Sequence, residues 1–138
     1  MAQAQLTYDR HEDIIYMSFP ERMELETRAQ IKAHFDFVVS FWRANAGGRK
    51  SYFVVDFTNI VINMKELDYY AKLSDKAQAE CAITSVRYGG DPLQRTITRL
   101  AGMKIHRPSH VYETRAEALA VVRALKAGEL EAKNARKP

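Results

Sequence analysis

Two runs of β-branched and aromatic residues, 6–10 and 14–19, flank a polar His11-Glu12-Asp13 segment. That pattern predicts a hairpin, ended by Pro20, which cannot donate to a strand ladder. Thr27 and Gln30 stand at capping-box spacing, the hydroxyl placed to accept an early helical N–H and the amide to reach back to the cap, so a helix starts there. Ile31, Phe35, Val38, Val39 and Trp42 then recur at the helical period as one apolar stripe, until Gly47-Gly48 stops it. Residues 51–57 lack polar alternation, as a strand covered on both faces should. Asn63-x-x-Glu66 opens a second helix, with Leu67, Tyr70, Ala71, Ser74 and Ala77 facing the sheet, and residues 83–88 form a strand broken by Gly89-Gly90. Asp91-Pro92-x-Gln94 starts a third helix, expected to bury Leu93, Ile97, Leu100 and Ala101, to point Arg95 and Arg99 outward, and to end at Gly102. Residues 110–112 read as a last strand. Thr114-x-x-Glu117 begins a fourth helix with Ala118, Leu119, Val122 and Leu125 inward, closed by Gly128.

The order ββαβαβαβα, after its opening hairpin, calls for parallel strands with right-handed crossovers. The expected fold is α/β, a single-layer mixed sheet of about five strands with four helices. A chain of 138 residues supports one core, so residues 1–128 are expected to form one domain and the charged stretch 129–138, which lacks an apolar stripe, to fray. With 46% hydrophobic and 28% charged residues the chain belongs with ordinary globular proteins, not fibrous or broadly disordered ones. No apolar run approaches the roughly 20 residues of a membrane span. The start lacks the pattern of a secretory leader and there is one cysteine, so a cytoplasmic location is expected.

In open α/β sheets ligands sit beyond the carboxyl ends of the parallel strands. That edge collects Asp56, Thr58, Asn59, Asn63, Gly89, Gly90 and Asp91. Asp56 has two roles open to it, accepting from a ligand or bonding its neighbouring loop, and Thr58 has a turn bond to backbone as its structural role. The Gly-Gly-Asp-Pro segment before a helix N-terminus suits an anion, but its spacing is that of neither a dinucleotide nor a P-loop motif. His106 and His110 are separated by Pro108, His11 and His34 stand alone, and no further ligands complete a metal site. Cys81 lies in an apolar run as a small core residue, and no nucleophile-elbow motif is present. The chain is therefore expected to be non-enzymatic, with no cofactor and no metal.

Net charge is +4, concentrated in residues 87–107, where Arg87, Arg95, Arg99, Lys104 and Arg107 face one acid, Asp91. A basic patch of Arg95, Arg99, Lys104 and Arg107 would bind phosphates with strong salt dependence, yet solvated helix faces look the same, and nucleic acid is not the expected partner. Tyr69 and Tyr70 point about 100° apart on a helix, so an inward Tyr70 leaves Tyr69 partly exposed. With Met64, Leu67, Phe41 and Trp42 they could fill core, line an apolar pocket or form a dimer face.

The element order, together with Asp56-Phe57-Thr58-Asn59, the apolar Ile60-Val61-Ile62, Val111-Tyr112 and Glu117-Ala118-Leu119-Ala120, resembles the STAS fold of anti-sigma-factor antagonists and sulphate-transporter tails, in its SpoIIAA-like branch, often grouped with SEC14-type domains. The resemblance spans about residues 6 to 126 and rests largely on core residues. In those antagonists a serine in an Asp-Ser-Ser-Gly turn is phosphorylated, and the added charge dissociates the complex. Here that position falls at Lys65 or Met64, and no serine or threonine occurs in residues 59–73. The resemblance implies a protein-interaction domain without that switch, binding a protein partner or a second copy of itself through Asp56, Thr58, Asn59, Asn63, Met64, Lys65 and Tyr69. The SEC14 relationship implies the alternative, a carrier of a lipid or other apolar ligand between sheet and helices.

Overall fold

Three threonine or aspartate caps act as their spacing demands. In the computed structural model, which describes residues 3–105 and 110–128, Thr27, Asp91 and Thr114 each accept the N3 backbone N–H while Gln30, Gln94 and Glu117 reach back to the cap. These boxes start α1 (Arg28–Ala46), α3 (Pro92–Lys104) and α4 (Arg115–Lys126). The remaining helix is α2 (Leu67–Cys81), and the strands are β1 (Gln5–Asp9), β2 (Ile14–Ser18), β3 (Met23–Leu25), β4 (Ser51–Asp56), β5 (Ile60–Ile62), β6 (Ala82–Tyr88) and β7 (His110–Tyr112).

The main sheet has the order β1-β2-β4-β6-β7, antiparallel only at the opening hairpin. Asp13 turns that hairpin at φ 59°, and its carboxylate accepts from the Tyr8 and Ser51 hydroxyls, both at 2.8 Å. The sheet is covered on both faces. Ile15, Phe53 and Val55 pack with Ile31, Val38 and Trp42 of α1 and Cys81 of α2. Their strand neighbours Ile14 and Val54 point the other way and, with Val86, pack on Ala118 and Val122 of α4. Alternate side chains of a strand go to opposite faces, so double coverage is why β4 shows no polar alternation. Each such buried aliphatic side chain contributes roughly 1.5–3 kcal/mol.

Several local expectations are corrected. β3 and β5 pair in parallel as a separate two-stranded sheet. Asn63 caps a single 3₁₀ turn, Met64–Glu66, which precedes α2. His34 joins Ile31, Val38 and Trp42 on the buried face of α1, while Phe35 and Val39 are half-buried. On α3, Leu93 and Leu100 are 68% and 41% exposed, and the helix runs through Gly102 to Lys104. It packs through Ala101 on Leu67 and Ala71 of α2, a close approach that a small residue permits. The tail 129–138, His106, Arg107 and Pro108 lie outside the described residues.

Candidate functional site

The loop after β4 is held by its own polar residues. Asp56 Oδ1 accepts from the Thr58 hydroxyl at 2.5 Å and the Thr58 N–H at 3.1 Å, and the Gly90 N–H donates to that hydroxyl at 3.3 Å. Asn59 Nδ2 donates to the Phe19 carbonyl at 2.8 Å, and Asn63 Nδ2 to the Glu26 carbonyl at 3.0 Å. Gln94 caps α3 with Oε1 while Nε2 donates to the carbonyls of Thr58 and Ile60, each at 3.0 Å. Gly89, at φ +86°, lets this packing happen, since a Cβ there would lie 2.5 Å from Thr58 Oγ1. Asp56, Thr58, Asn59 and Asn63 are thus brought together around the loop, with their hydrogen bonds directed to backbone and to one another.

Behind the loop, between the sheet and helices α1, α2 and α3, lies a cavity of about 460 Å³, within the roughly 300–1,000 Å³ range of small-molecule sites. Phe19, Phe35, Val55, Phe57 and Ile97 supply apolar wall. Its polar members are the informative ones. Arg87 of β6 borders it, together with Tyr70 of α2 and His34 of α1. Among the described residues, neither the Arg87 guanidinium nor the Tyr70 hydroxyl has a hydrogen-bond or ion-pair partner. Burial lowers the Arg87 pKa, an effect that Tyr70 opposes, and raises that of Tyr70, which Arg87 opposes. Arg87 lies deep in the molecule but stays partly accessible because it borders open space. His34 is 4% exposed, its Nδ1 has no partner, and burial brings its pKa down to about 4.

The other expected residues sit apart from this cavity. Met64, 51% exposed, and Lys65 stand on the 3₁₀ turn. Tyr69, half-buried, lies beneath the Arg28 guanidinium at 4.9 Å, and Arg28 also pairs with Glu66 at 3.0 Å. Tyr70 does face inward, against Phe35 at 5.3 Å between ring centroids. The basic residues do not act as a set of free outward cations. Arg95 turns back onto the carbonyls of Gly89 and Gly90, Arg99 reaches the Val111 carbonyl, and Lys104 pairs with Asp68 at 2.7 Å. Arg87, counted with them from sequence, faces the interior instead. Cys81 is buried, and burial raises its thiol to about 11. No cluster of three or more potential metal-ligating side chains occurs among the described residues. Nor is any described helix long and apolar enough to cross a membrane.

Sequence could have pointed to His34, which follows Ile31 at i+3 and precedes Val38 at i+4 on one helical face. Arg87 carries a weaker signal, its alternation with Val86 along β6, which has meaning only once the contents of each sheet face are known.

Comparison with solved structures gives the fold. The chain is similar to the anti-sigma factor antagonist SpoIIAA in its unphosphorylated form, with a TM-score of 0.56 at 13% identity over 88% of this chain and 96% of that one. It is similar to an anti-sigma factor antagonist from Mycobacterium paratuberculosis, with a TM-score of 0.55 at 16% identity over 89% and 95% of the two chains. An uncharacterized protein with a SpoIIAA-like fold from Shewanella loihica gives a TM-score of 0.55 at 17% identity over 88% and 95%. No family model and no curated protein sequence matches. The fold is STAS-like, of the SpoIIAA type.

Proposed function

We propose, from the SpoIIAA-type fold, that this protein is a non-enzymatic, cytoplasmic regulatory domain that binds a protein partner, or a second copy of itself, through the turn before α2 and the first turn of that helix. The observation that carries this reading is Met64, a large apolar side chain left 51% exposed on the 3₁₀ turn. Lys65 beside it and Tyr69 one helical turn further extend the same surface. The proposed docking is constitutive with respect to phosphate, because no serine or threonine occurs in residues 59–73. Asp56, Thr58, Asn59 and Asn63 contribute by holding the loop that presents the turn.

A photo-crosslinking amino acid at Met64, compared with one at the exposed Lys76 of α2, tests the proposal in the producing cell. A discrete adduct from position 64, lost on Tyr69→Ala and missing from position 76, is the expected result. Equal labelling from both positions, or none from 64, overturns the docking face. Stoichiometric phosphate incorporation between Thr58 and Ser74 by a kinase of anti-sigma antagonists overturns the claim of constitutive docking. The second reading, a carrier of an apolar ligand, is favoured by the cavity of about 460 Å³ between the sheet and the helices.

A further inference from the structure

One rung of the main sheet contains a residue that the fold does not call for. Strand register aligns Leu6, Met17, Val55, Arg87 and Val111 side by side across all five strands. On a single face of a sheet such paired positions are neighbours. Four members are apolar and pack in the core between sheet and helices. The fifth is an arginine on an interior strand, bordering the cavity and without an ion-pair or hydrogen-bond partner among the described residues. A half-buried cation without a partner, standing where its rung is otherwise apolar and bordering a cavity, is a functional-site candidate.

The rest of the wall specifies what would complete it. Tyr70 offers a hydroxyl without a partner, and the neutral imidazole of His34 offers a buried Nδ1 without one. Ser74 and Thr98 also border the cavity but are engaged, Ser74 accepting from Gln78 at 2.8 Å and Thr98 donating to the Gln94 carbonyl at 3.0 Å. The acid on the rim, Asp91, accepts the Gln94 N–H as the α3 cap, and the other cation there, Arg22, pairs with Glu24 at 2.8 Å. Arg87 is the one cation of the wall with no bonded partner among the described residues, set beside aromatic and aliphatic side chains. A guanidinium fork matches a carboxylate with two parallel hydrogen bonds. A single cation neutralises a monoanion, whereas a phosphate monoester dianion would leave net negative charge buried.

We propose that this cavity binds a small organic carboxylate with an apolar body, its carboxylate seated on Arg87 with the Tyr70 hydroxyl beside it and its hydrocarbon part against Phe19, Phe35 and Ile97. The proposal rests on the carrier reading of this cavity and names its ligand class: equal binding of acid and alcohol would leave that reading standing without the carboxylate, and a docking surface at Met64 bears on neither.

Calorimetric titration of the full chain with two matched pairs, octanoate against octanol and hydrocinnamate against hydrocinnamyl alcohol, tests the assignment. Each acid is expected to bind one to one and at least about ten-fold more tightly than its alcohol, the worth of a charge-assisted hydrogen bond. Arg87→Met restores an apolar rung, so it should fold with an unchanged or higher Tm, bind the alcohol as before, and lose the preference for the acid. Ile97→Trp, which fills the cavity, should weaken acid and alcohol alike. Equal binding of acid and alcohol to the unaltered protein, no binding of either acid, or a preference that survives Arg87→Met overturns the proposal. A measurement independent of any variant is the Arg87 Nε–H resonance, which should shift on adding acid and not alcohol; a resonance that stays in place also overturns it.

Discussion

Acidification should destabilise this protein through His34 before its carboxylates titrate. The imidazole is buried between Phe19 and Phe35, with ring centroids at 5.8 and 4.9 Å, and its pKa falls from 6.5 to about 4 because charging it there forfeits hydration. Of the ionisable groups bordering its cavity, Tyr70, Arg87 and Arg22 supply no negative charge at mildly acid pH, and the one acid, Asp91, is engaged at the α3 cap, accepting the Gln94 N–H. A folded pKa below the unfolded one means that the unfolded state takes up the proton first, so the stability is fully present above pH 6.5 and is lost as the pH falls toward 4. Between about pH 7.5 and about pH 5 the loss comes to about 2 kcal/mol, and it reaches about 3 kcal/mol once both states are protonated. Urea unfolding at the two pH values, for the unaltered protein and for His34→Leu, isolates the effect, since groups common to both cancel in the double difference. The unaltered protein should lose about 2 kcal/mol more than the variant over this interval. A double difference near zero would refute the reasoning and assign acid sensitivity to other groups.

Two further substitutions test the loop that closes the cavity. Gly89→Ala should cost about 1–3 kcal/mol by urea unfolding, because alanine must adopt φ +86° and its Cβ would meet Thr58 Oγ1 at 2.5 Å; a neutral result would show that this packing yields. Asp56→Ala removes the acceptor of both Thr58 bonds and should cost about 1 kcal/mol, with a loss much larger than that arguing that Asp56 does more than hold its loop.

Much of the fold was legible because its signals are local. The capping boxes at Thr27, Asp91 and Thr114 place three helix starts, and the unalternating run in β4 identifies a strand covered on both faces. β3 and β5 escaped notice because three residues carry no measurable period, and what defines them is their pairing across 37 positions of sequence. The facing of α3 differs from expectation at two of four positions, for a different reason. Hydrophobicity selects Leu93, Ile97, Leu100 and Ala101 alike, whereas only Ile97 and Ala101 turn toward α2 and the two leucines stay outside. At the candidate site, the bonding of Asp56 to its own loop is one of the two roles its position suggests, whereas the bonds of the Asn59 and Asn63 amides to distant carbonyls carry no local signal. Arg87 was placed with the surface cations, because a charge count along the chain carries no information about which face of a strand a residue occupies.

The side chain of Gln94 has a mechanical consequence. Its amide joins the cap of α3 to the carbonyls of Phe57, Thr58 and Ile60, and Arg95 next to it holds those of Gly89 and Gly90. Helix start and loop therefore behave as one stiff part, and neither can lift away while the other stays. The opposite end of α3 is tethered to α2 by contacts around Ala101 and by the exposed Lys104–Asp68 pair. With α3 held at both ends, widening the cavity wall that Gln94, Ile97 and Thr98 form requires breaking one of these two sets of contacts.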